Sequence, residues 1–372
     1  MTNINTIAPL SEFLQAELDN WITLRPHKLD SNLVIANYTP AQTFRRVYEY
    51  EIPGDETTRY SVNAWDAVTL SSRGLIFRKD SGEIAARPMP KFFNYGQSET
   101  NQIATDGSIE VTEKEDGSMG VLYMAPDGRY AVSTRGSMHS EQAEHATALY
   151  RARYDLSWVP DEDHTFIFEI IYPEGHIVVN YGDMDDLILI AVVNKTTGRS
   201  VDRDQLVAFG YPGPIVPIYS FPTFMSVFEA EQTPGHEGFV VRFVDSDERL
   251  KIKFDDYIAL HKMRFHLSRK SVWEVMSSDI EEIDTWVTQF PDEFASDIRV
   301  WESEFNTRHD ELLLESKNIF SELSHLTSNR RSFAQELASR NVIPIVKALV
   351  FNMADDKSDE YLSDSIWKNL RP

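Results

Sequence analysis

The feature that most constrains this chain is a change of pattern at about residue 255. Before it, from about residue 43, short segments rich in β-branched and aromatic residues recur between Gly, Pro and Asp. They are Gly74–Arg78, Gly120–Met124, Arg129–Thr134, Thr165–Tyr172, His176–Tyr181, Leu187–Asn194, Gly238–Val244 and Arg249–Phe254. Such runs read as strands, with one helix expected between them at Ser140–Tyr154. After residue 255 strand signals nearly vanish. Helical patterns follow at Ile283–Phe290, Glu293–Asn306, Glu311–Leu326 and Ser332–Asn341. A further amphipathic helix is expected within residues 1–20, where Leu10, Phe13, Leu14 and Leu18 fall at helical spacing. A strand-rich domain followed by a helical one is therefore predicted, with the boundary near 255–268.

Length and composition narrow the functional classes. A chain of 372 residues is long enough for two domains. It has no cysteine, which removes disulfides, thiolate zinc sites and cysteine nucleophiles together. No stretch approaches the ~18 apolar residues of a membrane span, and residues 1–20 lack the pattern of a secretory signal. A cytoplasmic protein is the expectation. The net charge of −23 argues against a non-specific nucleic-acid binder. The charge is uneven, however. Lys251, Lys253, Lys262, Arg264, Arg269 and Lys270 face only Asp255 and Asp256 within residues 251–270, where a phosphate-rich ligand could be held. No sustained heptad seam is present, so a monomer is expected.

Four segments carry possible chemistry. Glu113-Lys114-Glu115-Asp116-Gly117-Ser118 reads either as a surface hairpin turn, since Asp-Gly favours turns, or as a lysine nucleophile. A lysine is nucleophilic only when neutral, so it needs cations or burial nearby. In Arg249-Leu250-Lys251-Ile252-Lys253-Phe254, strand alternation puts Lys251 and Lys253 on one face, tolerable if a polyphosphate lies against them and ordinary for an exposed strand. Glu169 sits in the apolar strand Phe166–Tyr172, where an acid must be ion-paired or hold a cation. Glu237-Gly238 opens another strand, which suits contact with a sugar or metal and equally suits a turn. Arg73 and Lys91 lie upstream of Lys114 and read by themselves as surface cations.

Each piece is ambiguous, but their order is not. Lys-x-Asp-Gly, then Ser133-Thr134-Arg135-Gly136, then Phe-Glu in a strand, Glu-Gly and Lys-x-Lys resembles the motif series of the covalent nucleotidyltransferases. Lys-Glu-Asp-Gly-Ser, the preceding Lys-Phe-Phe-Asn, Arg73-Gly74-x-x-Phe77 and Leu-Lys-Ile-Lys-Phe-Asp-Asp-Tyr resemble the T4 phage RNA ligase 1 family over about residues 43–262.

The resemblance implies an α+β fold: an antiparallel-sheet adenylyltransferase domain, residues 1–260, and an all-helical C-terminal domain, residues 261–372, concerned with RNA or tRNA specificity. It implies an ATP-dependent RNA ligase in RNA repair. Lys114 would attack the α-phosphorus of ATP and carry AMP, with Glu113, Asp116 and Gly117 around it. Arg135 stands where the family usually has a lysine. Glu169 and Glu237 would hold ribose or magnesium, with Asp116 as a third metal ligand and manganese as an alternative ion. Gly238 would let the backbone close on the nucleotide. Lys251 and Lys253 would neutralise the α-phosphate. Arg73 and Lys91 would meet the outgoing phosphates, Phe93 would pack near the nucleotide, and Tyr50 would join the same pocket. The implied partners are single-stranded or nicked-loop RNA, including cleaved tRNA, and no membrane. A DNA ligase or capping enzyme would be expected to continue as a β-barrel after Lys253. A silent RNA-binding protein on the same fold is the reading from another class.

Overall fold

The computed structural model describes residues 7–52, 55–264, 267–278, 282–290 and 294–372. Side chains at 44, 46–63, 263, 264, 289 and 296 are not described, so the Tyr50 side chain lies outside the described residues. The chain forms two compact units, Met1–His261 and Lys262–Pro372.

The first unit begins with α1 (Leu10–Leu18), β1 (Ile22–His27), β2 (Asp30–Tyr38), α2 (Pro40–Phe44), β3 (Arg46–Ile52) and β4 (Asp55–Asn63). It continues with α3 (Ala67–Ser71), β5 (Arg73–Arg78), β6 (Ile84–Ala86), β7 (Phe93–Asn94), β8 (Ile109–Glu113), β9 (Ser118–Met124) and β10 (Tyr130–Thr134). Then come α4 (Glu141–Arg153), β11 (His164–Ile171), β12 (Asp186–Asn194), α5 (Arg203–Ala208), β13 (Ile218–Tyr219), α6 (Phe224–Phe228), β14 (Gly238–Phe243), β15 (Arg249–Lys253) and α7 (Asp255–Arg264). The strands pair as β1-β2-β5-β6, as β10-β9-β11-β12, as β13-β8-β14-β15-β7 and as the hairpin β3-β4. Among the described residues all ladders are antiparallel except β15 with β7. The expected α+β architecture with antiparallel sheets is what the structure has.

The second sheet owes its stability to its continuous apolar strands. Phe166, Ile167, Phe168 and Ile170 of β11 are all buried, and α4 covers one face with Ala146, Leu149 and Tyr150. Ser140 caps α4 by accepting from the Ala143 amide. Glu169 is therefore carried on a rigid central strand flanked by β9 and β12.

β1 and β2 carry no strand signal in the reading above, yet they form half of the first sheet. β2 is central, so Leu33, Val34, Ile35 and Ala36 are all buried and the run does not alternate. Pro26 obscures β1, which is an edge strand where proline costs little. The strand expected at His176–Tyr181 is absent. The amides of Val178 and Val179 both donate to the Asp116 carboxylate, at 2.7 Å each, so they are not available to a ladder.

The second unit is helical: α8 (Arg269–Met276), α9 (Ile283–Trp286), α10 (Ala295–Leu323), α11 (Arg330–Ser339), α12 (Pro344–Ala354) and α13 (Asp359–Asn369). The two helices expected at 293–306 and 311–326 are one, α10, because nothing between Asn306 and Glu311 breaks a helix. Leu312, Phe333, Leu349, Val350 and Ile366 build its core. The basic run divides accordingly. Lys262 pairs with Asp297 at 2.8 Å and Arg269 with Glu304 at 2.6 Å, inside the helical unit. They neutralise acids there. No helix among the described residues is long and apolar enough to cross a membrane.

Candidate active site

β8 ends at Glu113, and the next residue turns inward. The Lys114 amide donates to Gly238 O at 2.9 Å, which ties the turn to the start of β14. Its Nζ lies 2.7 Å from Glu237 Oε2, while Lys253 Nζ lies 2.9 Å from Glu237 Oε1. One buried carboxylate thus serves two ammonium groups from three strand ends. Gly238 makes this possible. Its φ is +144°, and a Cβ there would fall on the carbonyl oxygen of Ile252.

Gly117 has a similar reason. A Cβ would stand 2.5 Å from Ile170 O and 2.6 Å from Ile171 Cδ1. Its absence lets the Gly117 amide donate to Glu169 Oε1 at 3.1 Å. Burial pushes the Glu169 carboxyl up to about 7. The charge of Lys114 opposes that rise and the charge of Glu237 adds to it. Burial also raises Glu115, against the hydrogen bond from Tyr181.

A cavity of about 650 Å³ opens over these groups, lined by Lys114, Gly117, Glu169, Arg73, Arg135 and Lys251 among others. Arg73 and Lys251 both lie over the Phe92 ring, at 5.5 and 5.2 Å. Phe92, not the expected Phe93, faces this cavity. Phe93 points the other way, toward Trp65 and Lys91. Glu237 is 2 % exposed and lies beneath Lys114.

Asp116 takes a different part from the metal ligand expected of it. One oxygen accepts the Val178 and Val179 amides and the other accepts the Tyr257 hydroxyl at 2.7 Å. At 3 % exposure its carboxylate is committed to holding the turn. Glu113 is likewise clasped, by the Tyr219 hydroxyl and by His236 Nδ1 at 2.7 Å.

Several members of the site have no local signal. Tyr38 ends β2 and accepts from Arg135 Nη1 at 2.9 Å and from Lys91 Nζ at 3.4 Å. Tyr181 accepts from the Asp116 amide at 2.7 Å and lies in the stretch misread as a strand. Tyr257 was in view as the last residue of Leu-Lys-Ile-Lys-Phe-Asp-Asp-Tyr. Its bond to Asp116, 141 residues away, was not.

The donor set can be tested against a divalent cation. Among the described residues no group of three or more Asp, Glu or His could hold a metal. Glu169, a desolvated carboxylate on the cavity wall, suits a cation that arrives on phosphate oxygens. The residues fit such an ion and do not form a cage for a bare one.

The profile of the RNA ligase family, T4 RNA ligase 1 type, matches residues 71–263, more than half of the chain. The chain belongs to the RNA ligase family. A curated relative from Thermovibrio ammonificans, provisionally named RNA ligase, is 29% identical over 203 residues, covering 51% of this chain and 52% of that protein. A relative from Autographa californica nuclear polyhedrosis virus, provisionally named bifunctional polynucleotide kinase/RNA ligase, is 26% identical over 221 residues, 52% of this chain and 31% of that one. This RNA ligase family member therefore spans about half the length of the first relative and about a third of the second. Among solved structures, an archaeal ATP-dependent RNA ligase overlays with a TM-score of 0.44 at 13% identity, covering 80% of this chain and 71% of that one.

Proposed function

We propose that this chain is an ATP-dependent RNA ligase that joins 5′-phosphate and 3′-hydroxyl RNA ends through an AMP carried on Lys114. The observation that supports this most is the convergence of Lys114 with Glu237, Lys253 and Glu169 from separate strands beside one cation-lined cavity.

Phosphoryl transfer needs alignment and charge neutralisation more than acid–base work. Lys114 rests as an ammonium on Glu237. A triphosphate entering the cavity meets Lys251, Arg73 and Arg135, and Lys253 stays on Glu237 as Lys114 turns away. The amine gives one proton to water before attack and a second to water once the N–P bond has formed. The bond from the α-phosphorus to the bridging oxygen breaks, and pyrophosphate leaves. An oxygen of the RNA 5′-phosphate then attacks the same phosphorus, the N–P bond breaks and Lys114 is reprotonated. Finally the RNA 3′-hydroxyl attacks the activated 5′-phosphate, gives up its proton and expels AMP. A divalent cation, magnesium or manganese, would be held by Glu169 and the phosphates and would supply Lewis-acid neutralisation. Asp116 contributes by holding the Lys114 turn in place.

The helical unit is assigned to choosing the RNA, with single strands, nicked loops and cleaved tRNA as candidates, in a monomeric cytoplasmic enzyme of RNA repair. The experiment is incubation with magnesium and ATP labelled at the α-phosphate, then denaturation. Label on the polypeptide that vanishes in Lys114→Ala is expected. No label, or label that survives Lys114→Ala, would falsify the reading. GTP as donor distinguishes a capping-type enzyme, and a panel of 5′-phosphorylated single strand, nicked duplex and cleaved tRNA ranks substrates.

A further inference from the structure

The end of β1 clasps the segment that follows β10. Arg25 Nη1 donates to Gly136 O at 3.3 Å, and Lys28 Nζ lies 3.1 Å from Glu144 Oε1 on α4. Both contacts are exposed, and an exposed ion pair holds little. Between them stand two histidines. His27 is 6 % exposed, and its ring lies 4.4 Å from that of His139 and 6.3 Å from that of Tyr123. His139 follows a tight turn, in which the Thr134 amide donates to Ser137 O at 2.8 Å and the His139 amide to Ser137 Oγ at 3.0 Å. Thr134, Arg135, Gly136 and Ser137 all line the cavity that Lys114 lines.

Backbone amides fix the protonation of both rings. The Leu29 amide donates to His27 Nδ1 at 3.1 Å, and the Lys28 amide to His139 Nε2 at 3.0 Å. An amide only donates, so each of these ring nitrogens carries a lone pair and each imidazole is neutral. A proton on either nitrogen sets N–H against N–H and breaks the bond. A proton on both rings also places two cations across 4.4 Å. Burial holds both imidazoles below the ordinary value of 6.5. For His27 the charges of Asp30 and Asp127 oppose that fall and the charge of Lys28 adds to it. For His139 the neighbours His27 and Lys28 add to it and Glu144 opposes it.

We propose that His27 and His139 are positioning residues that hold the cavity wall at residues 134–137 while both are neutral and release it on taking up a proton. They act through the turn that carries Arg135 and Gly136 and touch no reacting atom. The sign follows from the open form, whose imidazoles have the ordinary value and bind a proton more tightly than the closed form. The closed wall is therefore fully present above about pH 6.5 and is lost as pH falls below it. The inference goes beyond the ligase reading and rests on it only where activity is measured.

The test compares the full wild-type chain with His27→Asn/His139→Gln. Asparagine and glutamine keep an acceptor where Nδ1 and Nε2 stand and take up no proton. Hydrogen exchange of the Lys28 and His139 amides, corrected for the intrinsic effect of pH, is read at pH 7.5 and pH 5.5. Wild type is expected to lose about tenfold in protection at the lower pH, and the double variant less than about twofold. His139→Ala removes the acceptor, so its Lys28 amide should exchange freely at both pH values. AMP transfer from labelled ATP to 5′-phosphorylated RNA should fall between those pH values about tenfold further in wild type than in the double variant. Glu169 titrates in both proteins and cancels from that comparison. If the double variant does not fold, His139→Gln alone carries both comparisons. The inference fails if wild-type protection is the same at both pH values, if the double variant loses as much as wild type, if the Lys28 amide stays protected in His139→Ala, or if the two rates fall equally. If wild type takes no label from ATP yet exchange follows the expected pattern, the ligase reading fails and this one stands.

Discussion

Glu237 holds Lys114 and Lys253 at once, with one carboxylate oxygen 2.7 Å from the first ammonium and the other 2.9 Å from the second. Removing the acid leaves two like charges facing each other in a buried place. Glu237→Ala is expected to lower the rate of label transfer from ATP by about 100-fold or more and to destabilise the fold by roughly 3 kcal/mol. Single-turnover adenylylation and denaturant melts check the two parts. A variant of normal stability and near-normal rate contradicts the bridging role.

Asp116 and Tyr257 give a second case, in which a buried carboxylate orders a turn. Tyr257→Phe removes one of the three hydrogen bonds to the Asp116 carboxylate found among the described residues. A stability loss of about 1 kcal/mol is expected, with a several-fold fall in adenylylation. Asp116→Ala strands two amides and should cost more. Thermal melting of both variants orders the effects, and equal losses would refute the arrangement.

Glu169 makes stability depend on pH. Its folded carboxyl is raised by burial to about 7, above the ordinary value of 4.5. The folded state therefore binds the proton more tightly than the unfolded chain. Its contribution is fully present below about pH 4.5 and is lost as pH rises through 7. Glu169→Gln should flatten that decline and raise the melting temperature at pH 8 relative to wild type without nucleotide. Melts between pH 4 and pH 8 decide it, and a variant with the wild-type slope rules it out.

Gly238 allows β14 to approach β15 where Glu237 is aimed. Gly238→Ala places a methyl group against the Ile252 carbonyl at a φ that side chains rarely adopt. A loss of roughly 2–3 kcal/mol is expected, with adenylylation falling further than stability because Glu237 is displaced. Circular dichroism melts with a labelling assay measure both, and an alanine variant of full activity would exclude the strain.

The change of pattern at residue 255 determined much by itself. Strands β5, β9, β10, β11, β12, β14 and β15 follow from local runs that only a sheet can bury, and a helix was expected where α4 lies. The order of Lys114, Glu169, Glu237, Lys251 and Lys253 was readable because each belongs to a short motif whose spacing survives in the chain. All five residues fall within the stretch 71–263 that matches the RNA ligase family.

What the sequence did not contain was contact between distant segments. Phe92 and Phe93 are neighbours of one type, and only the pairing of β7 with β15 decides which of them faces the cavity. His176–Tyr181 has a strand's composition, but Asp116 captures its amides from 62 residues away. Tyr38 is an ordinary strand-end tyrosine until β2 lies beside β5 and brings it under Arg135 and Lys91. Periodicity records how a segment meets water and core. Which carboxylate meets which amide or ammonium is set by strand order and register, and those are settled only when the sheets close around Lys114.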